Sequence, residues 1–275
     1  MAAVGLRLGK VFALAMLALG CSRAKVERIE WPVMGTVAAV QTRGATAEET
    51  AAVVRAVKTE FAHVEKLLNA HDPNSELSRL APLAETEILA RCDESVRPCY
   101  EMAFDLMRKS GGAFSPRWRG TNTLDLGAIA KGFAVDCAAS SGAFVCKGPD
   151  GLLDLGGNLF AVKGCWKTGV AGTDVVLPLG EGLACATSAE YYRGKHIYDG
   201  RTGLAVSNGV VSVTVQVGGS AMEADGLSTT LFVLGPVEGK KFLDEKWKTA
   251  GVQAVWFMKD GSCVSHLSRV NYAGL

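Results

Sequence analysis

The pattern of apolar and polar residues predicts a long amphipathic helix in the first third of the chain. Apolar side chains recur at helical spacing from Val53 to Leu68. They follow Thr46 and Glu49, whose spacing is typical of a capping box at a helix start. Asp72 and the proline after it end the pattern. The segment therefore predicts a helix with one face in a hydrophobic core.

Further periodic segments predict additional helices and several strands. Helices are predicted over residues 98–109, 128–139 and 224–234, and strands over residues 152–155, around 160, over 211–217 and over 253–258. In the segment 211–217, valines alternate with Ser212, Thr214 and Gln216. Gly235 and Pro236 are expected to close the helix before them. Because helices and strands come in mixed order without a repeat or long linker, we predict α+β class: a single compact domain with a mixed, largely antiparallel sheet and flanking helices.

Composition supports a globular protein and argues against a nucleic-acid partner. The chain has 275 residues, of which 48% are hydrophobic, so it can bury a substantial core. Its 29 Lys and Arg residues are balanced by 28 Asp and Glu residues. Such a balance does not indicate the basic surface with which proteins bind nucleic acids or acidic membranes.

The N-terminus carries the pattern of an export signal. Arg7 and Lys10 precede an apolar run that is too short to span a bilayer and ends at Gly20. Residues 17–21, Leu-Ala-Leu-Gly-Cys, resemble a lipobox, in which Cys21 is lipidated. We predict a lipoprotein signal peptide at 1–20, a tether at 21–30 and the functional domain at 31–275. The expected location is a bacterial membrane, with the domain facing the periplasm or the cell exterior. An ordinary signal peptide or short anchor is the alternative.

The cysteine pattern indicates neither a zinc site nor a thioredoxin-type motif. Eight cysteines are present, and no C-x-x-C spacing occurs among them. In an oxidising compartment some can form disulfides, and we predict that Cys92 and Cys99, the nearest pair in sequence, are oxidised. With Cys21 lipidated, an odd number remains, so at least one thiol stays free.

Asp225, Ser228 and Thr229 are the first candidates for chemistry. They occur at positions i, i+3 and i+4 of a predicted helix, which places their oxygens on one face. A carboxylate beside hydroxyls is a hard-oxygen set that suits Mg²⁺. The alternative is that Asp225 caps the helix start.

The segment 124–132 is the second candidate. Asp125 is followed by a glycine turn, and Lys131 lies near a predicted helix N-terminus, where backbone N–H groups can receive phosphate. The alternative is a tight strand-to-helix turn with an exposed lysine. His196 precedes a glycine-rich turn and is either a base or a surface residue. No G-x-S-x-G elbow supports hydrolase chemistry.

Eight stretches in order resemble the FAD:protein FMN transferase family (ApbE-like flavin transferases). They are residues 33–36, 73–80, 111–114, 124–136, 155–158, 186–188, 196–203 and 223–231. The resemblance runs from about Trp31 to Leu243. Three departures from the family pattern occur: Ser115 and Gly200 replace the usual aspartate and proline, and the segment 116–123 is short.

The resemblance implies a site and a reaction. Asp225, Ser228, Thr229 and the backbone carbonyl of Ala128 would hold Mg²⁺, and Asp225 and His196 would be the catalytic residues. The positions implied to contact FAD are Met34, His71, Ala113, Phe114, Ser115, Asp125, Lys131 and Tyr198. The implied reaction moves FMN from FAD to a Ser or Thr hydroxyl of an exported redox-complex protein (NADH:quinone reductase or a related type) and releases AMP. The alternatives are an FAD pyrophosphatase that releases FMN and AMP, and a non-catalytic flavin-binding lipoprotein.

Overall fold

The computed structural model describes residues 25–142, 144, 148–170, 175–190 and 196–267. The predicted signal peptide and Cys21 lie outside these residues. The predicted tether at 21–30 needs correction, because residues 26–30 already belong to the first strand. Within the described ranges, no helix is both long enough and apolar enough to cross a membrane.

The described part of the chain contains six helices and twelve strands. The helices are α1 (Ala47–Leu68), α2 (Glu76–Leu80), α3 (Glu85–Arg91), α4 (Arg97–Lys109), α5 (Ala130–Ser140) and α6 (Ala221–Glu245). The strands are β1 (Val26–Val33), β2 (Thr36–Arg43), β3 (Asp150–Leu155), β4 (Asn158–Lys163), β5 (Trp166–Gly169), β6 (Val176–Leu179), β7 (Leu183–Ala189), β8 (Tyr198–Asp199), β9 (Leu204–Ala205), β10 (Val210–Gly218), β11 (Gln253–Met258) and β12 (Cys263–Leu267).

Eight strands form one antiparallel sheet in the order β1-β2-β3-β4-β7-β10-β11-β12. Helices α5 and α6 pack on one face, and α1 packs against α5 and the β1–β2 hairpin. The main core lies between these helices and the sheet. A second, small cluster around Trp166 and Cys185 lies next to the β5–β6 ribbon. This arrangement confirms the predicted α+β class with a largely antiparallel sheet.

Four predicted helices are present, and one of them continues further than expected. The capping box at Thr46 and Glu49 opens α1. Helix α6 extends beyond its predicted end through a kink at Gly235, whose φ of 72° is outside the helical range. Asn208 donates from its amide to the carbonyls of Phe232 and Val233, at 2.8 and 3.1 Å. The Gly-Pro sequence therefore ends the first helical segment, and a second segment begins directly after it.

The central strand β10 is buried on both faces. It lies between β7 and β11, and Thr214 and Gln216 are buried together with the valines. The Gln216 amide donates to the Pro178 carbonyl of β6, 2.7 Å away. The β5–β6 ribbon covers the face of β10 that carries these polar side chains. The alternation of valines and polar residues along β10 therefore does not indicate that one face is exposed.

The predicted pairing of Cys92 with Cys99 is wrong, because both are free thiols in the structure. The Cys92 thiol donates to the Leu89 carbonyl at the end of its own helix, 3.8 Å away. The Cys99 side chain is fully buried in the main core, and this burial raises the pKa of its thiol. The two side chains have separate environments, and the described cysteines provide no cross-link.

Asp136 of α5 holds the start of α6. Its carboxylate accepts hydrogen bonds from the Ser220 hydroxyl at 2.7 Å and from the backbone N–H groups of Ala221 and Met222 at 2.6 and 3.0 Å. Burial raises the pKa of Asp136, and these hydrogen bonds oppose that shift. Helix N-termini leave N–H groups that need such acceptors.

We expect Asp136→Ala to lower the free energy of unfolding by about 1–2 kcal/mol, because it leaves these helix-start donors without their acceptor. Denaturant unfolding measures the change. Asp244→Ala is the control, since that side chain is 66% exposed and lies 3.8 Å from His266. Equal stability of the two variants would contradict the assignment.

Candidate functional site

The site forms where α5 and α6 come into close contact at Gly132. A side chain at this position is excluded: a Cβ built on Gly132 would lie 2.2 Å from the Ala221 carbonyl oxygen and 2.8 Å from the Asp225 Cβ. The close approach brings the Gly132 N–H to the Asp225 carboxylate, with 2.9 Å between N and Oδ2. The glycine therefore sets the distance between the lysine-bearing and the aspartate-bearing helix.

Asp225 is a buried carboxylate within α6 and does not cap the helix. Ser220 is the N-cap residue and accepts from the Glu223 N–H. Asp225 is only 5% exposed. Among the described residues, its Oδ2 accepts the Gly132 hydrogen bond and its Oδ1 accepts none. The capping alternative is therefore excluded, and one carboxylate oxygen remains available.

Lys131 supplies a positive charge beside Asp225. Its Nζ donates to the Gly127 carbonyl at 2.6 Å and lies 3.6 Å from Asp225 Oδ2. Asp125 orders the turn before it, since the Asp125 carboxylate accepts from the Gly127 N–H at 2.9 Å. The predicted turn and the lysine near the start of the following helix are therefore present, but no strand precedes the turn, so Asp125 does not lie at a strand end.

The three oxygen-bearing residues of α6 do not share one open face. Ser228 is fully buried, and its hydroxyl donates to the Asp225 backbone carbonyl at 2.9 Å. Ser188 of β7 contacts both the Ser228 and the Thr229 hydroxyl, at 2.8 and 3.0 Å. The expectation that Ser228 is a metal ligand needs correction, because its side chain is fully buried and its hydroxyl already contacts both Ser188 and the Asp225 carbonyl. Asp225 and the half-buried Thr229 remain as candidates.

A cavity of about 400 Å³ lies beside Lys131. Its volume is within the range of about 300–1,000 Å³ that is usual for ligand sites. The lining includes four residues predicted to contact FAD, namely Met34, His71, Asp125 and Lys131. Met34 stands in the β1–β2 turn with a positive φ of 50°, and its N–H donates to the Glu65 carboxylate at 3.0 Å. Three segments distant in sequence thus meet at one cavity.

The other predicted FAD contacts lie in a second cluster. Ala113 and Phe114 have their side chains buried in the core, so only their backbone is left for a ligand. The Ser115 hydroxyl accepts from the Arg117 N–H at 3.1 Å. Tyr198 packs against Trp118. None of these residues lines the cavity.

The two substituted positions of the family pattern are in direct contact. A Cβ built on Gly200 would lie 2.4 Å from the Ser115 Cβ. The Gly200 N–H donates to the Ala113 carbonyl at 3.1 Å, a bond that a proline cannot make. A side chain at position 200 is therefore excluded in this conformation by Ser115 and by the Gly112 carbonyl oxygen, which would lie 2.5 Å from the added Cβ.

The short segment 116–123 is ordered by stacking and by two arginines. Trp118 stacks on Tyr198 with ring centroids 4.2 Å apart, and the Arg119 guanidinium lies 4.5 Å from the Trp118 ring centroid. Arg119 also lies 3.7 Å from the Asp125 carboxylate. Arg117 donates to the carbonyls of Ala81 and Leu83 at 2.8 and 2.6 Å. The segment thus connects the second cluster to the rim of the cavity.

Sequence reasoning missed three polar residues at the site. Glu65 and Asn69 line the cavity from the end of α1. Ser188 contacts the α6 hydroxyls from the sheet. Polar residues near a helix end are typical of a solvated face, so the sequence contains no feature that singles out the first two. His196 is exposed and does not line the cavity.

The oxygen donors are compatible with a hard divalent cation. The Lys131 ammonium already places one positive charge next to the Gly127 carbonyl and the Asp225 carboxylate. Asp225 Oδ1 and Thr229 Oγ1 are further hard-oxygen donors, the type that Mg²⁺ prefers. No cluster of three His, Cys, Asp or Glu side chains occurs in the described ranges, so a metal here would depend on hydroxyl, carbonyl or ligand oxygens.

Comparisons with known proteins agree on one family. The ApbE family model matches residues 34–123 and 117–256. A protein named FAD:protein FMN transferase from Vibrio cholerae is 33% identical over 138 residues, which is 42% of this chain and 40% of that protein. The chain thus spans about two fifths of the length of that curated relative.

Solved structures share the fold. The flavin transferase ApbE from Vibrio cholerae superposes with a TM-score of 0.71 at 20% identity, over 89% of this chain and 97% of that one. The flavinyl transferase ApbE from Pseudomonas stutzeri gives 0.72 at 22% identity, over 90% and 96%. Because the family model matches most of the sequence, the chain belongs to the ApbE family.

Proposed function

We propose that this protein is an FAD:protein FMN transferase that uses Mg²⁺ and modifies a Ser or Thr hydroxyl of an acceptor protein. The observation that carries the proposal is the pairing of Lys131, a lining residue of the cavity, with the Asp225 carboxylate behind it. Lys131 lines the cavity and lies 3.6 Å from the buried Asp225 carboxylate. A family relative bears the name FAD:protein FMN transferase.

In this proposal the cavity residues bind and orient FAD. The Lys131 ammonium neutralises part of the pyrophosphate charge near the start of α5, where the Gly132 N–H is already bound by the Asp225 carboxylate. Met34 and His71 provide an apolar and a planar surface in the same lining. Asp225 and Thr229 would hold Mg²⁺ with the Ala128 carbonyl, and bound Mg²⁺ would supply further charge neutralisation at the pyrophosphate.

The transfer step exchanges one P–O bond for another. The acceptor hydroxyl oxygen bonds to the FMN phosphorus, and the bond from this phosphorus to the bridging oxygen of AMP breaks. AMP leaves with the bond's electron pair, and the hydroxyl proton passes to solvent or to a nearby base. Positioning and charge neutralisation carry most of such a reaction, so a strong base is not required. We assign the exposed His196 the role of orienting the acceptor hydroxyl.

Product analysis distinguishes this function from its alternatives. FAD, Mg²⁺ and the protein are incubated with and without an exported redox-complex domain that carries a candidate Ser or Thr. A transferase forms AMP in step with flavin on the acceptor. Free FMN with AMP, independent of the acceptor, identifies a pyrophosphatase. Binding of FAD without any product identifies a flavin-binding protein.

We also propose that Cys21 anchors the protein to a bacterial membrane with the domain outside the cytoplasm. The support is the charged, apolar and small-residue order of residues 7–21. We expect Cys21→Ser to remain as an uncleaved precursor or to fractionate as soluble protein. Fractionation and the mass of the mature N-terminus measure this. Acyl chains on the mature N-terminus of the Cys21→Ser protein would refute the lipid-anchor assignment.

A further inference from the structure

Three hydroxyls connect strand β7 to helix α6 behind Asp225. Ser188 Oγ lies 2.8 Å from Ser228 Oγ and 3.0 Å from Thr229 Oγ1. Ser228 Oγ donates in turn to the Asp225 backbone carbonyl at 2.9 Å. Distances alone do not say which hydroxyl donates in the first two contacts. The number of available protons does.

Each hydroxyl has one proton to donate and lone pairs with which to accept. This series of hydrogen bonds ends on the Asp225 backbone carbonyl oxygen. A carbonyl oxygen only accepts, so Ser228 uses its proton there. Ser228 must therefore accept from Ser188, and this contact uses the Ser188 proton. It follows that the contact between Ser188 and Thr229 has Thr229 as the donor. All three proton positions are fixed by the carbonyl at the end of this series.

This order determines what Thr229 presents to a ligand. Its proton points to Ser188, and its hydroxyl makes no other hydrogen bond within the described part of the chain. Thr229 Oγ1 therefore offers lone pairs alone on its remaining side. Thr229 follows Asp225 by one helical turn, so both oxygens are on the same side of α6. An oxygen that presents only lone pairs favours binding of a cation. A hydroxyl that is free to rotate would present its proton to the cation part of the time.

We infer that Ser188 is a positioning residue that fixes Thr229 as an acceptor-only oxygen for the divalent cation. The inference rests on the proposed function, because that function requires Mg²⁺ next to Asp225. Ser188 does not need to touch the cation, since it acts through the Thr229 proton. The small residues Ala184 and Ala186 share its face of β7 and lie in the core toward α6, which allows the helix to come close enough.

The test measures Mg²⁺ binding rather than transfer. Mg²⁺ is titrated calorimetrically into the full-length protein saturated with FAD, without an acceptor. We expect Ser188→Ala to raise the Mg²⁺ dissociation constant about fivefold to tenfold, the size expected for one neutral hydrogen bond. Ser188→Thr keeps the hydroxyl and should bind Mg²⁺ within about twofold of wild type, a change below that of one hydrogen bond.

Thr187→Val is the matched control. Thr187 is the next residue of β7, on the opposite face, and its hydroxyl pairs with Thr214 at 2.9 Å. The control removes a hydroxyl from the same strand and leaves the hydrogen bonds between Ser188, Ser228 and Thr229 in place. Its Mg²⁺ affinity should therefore equal that of wild type. If Ser188→Ala does not fold, Ser188→Cys replaces it, because a thiol of similar size is the weaker donor and acceptor.

A double variant separates positioning from general support. If Ser188 acts through Thr229, adding Ser188→Ala to Thr229→Val should leave the Mg²⁺ dissociation constant unchanged within about twofold. A full additional loss would overturn the inference, as would wild-type affinity in Ser188→Ala or no Mg²⁺ binding by the wild-type protein. If the Ser188 and Thr229 variants lose Mg²⁺ affinity as expected but the wild-type protein transfers no FMN, the proposed function is refuted and the role of Ser188 stands.

Discussion

Asp225→Asn is expected to lower FMN transfer by about 10²-fold or more while the protein keeps its fold. The amide retains an oxygen that can accept from the Gly132 N–H, which lies 2.9 Å from the native Oδ2. It removes the negative charge that faces Lys131. Without that charge a cation at the pyrophosphate loses its strongest protein ligand, and the charge that develops during transfer is stabilised less.

Two comparisons make this result specific. Asp105→Asn removes the same charge from the surface of α4, where Asp105 pairs with Lys109 at 2.8 Å, and should transfer FMN at the wild-type rate. Thr229→Val should act in the same direction as Asp225→Asn but less strongly, because a hydroxyl is a neutral ligand. A normally melting Asp225→Asn protein with the wild-type transfer rate would place the metal site elsewhere.

Gly132→Ala is expected to lower both the free energy of unfolding, by about 3 kcal/mol, and the transfer rate. The new methyl group would lie 2.2 Å from the Ala221 carbonyl oxygen, and a backbone atom cannot turn away as a side chain does. Helices α5 and α6 must therefore separate. Their separation moves Lys131 away from Asp225 as well, so stability and activity should fall together.

Gly218→Ala is the control for this prediction. A Cβ on Gly218 meets no atom within 4 Å, and the residue is the exposed last residue of β10. Denaturant unfolding and FMN transfer should both match wild type in this variant. A Gly132→Ala protein as stable and as active as the Gly218→Ala protein would show that the close contact of the two helices is not needed.

The elements that could be predicted are those with a strong period and clear ends. Helix α1 combines a continuous apolar stripe with a capping box, and both survive in the structure. Strand β1 was missed because charged residues and a proline separate its apolar positions, a composition that is also typical of a tether. The end of α6 was missed because a Gly-Pro sequence normally stops a helix, whereas here a new segment follows the kink at Gly235.

The site could be predicted only where its residues are close in sequence. Asp225 and Thr229 are one turn apart, so their common side follows from helical spacing alone. The contact between Lys131 and Asp225 depends on how closely two helices approach, and it is the missing side chain of Gly132 that permits it. The role of Ser188 depends on strand β7 passing under α6, which no local pattern indicates. Contacts across elements therefore needed the structure.

The most direct test of the central claim is the mass of an acceptor domain after incubation with FAD, Mg²⁺ and this protein. We predict that the intact domain gains the mass of one FMN minus water, on a Ser or Thr, in the presence of wild-type protein. We predict little gain with Asp225→Asn over the same time. Repeating the incubation with excess EDTA should remove the gain. An acceptor that gains FMN equally with wild-type protein, with Asp225→Asn and in EDTA would contradict the account.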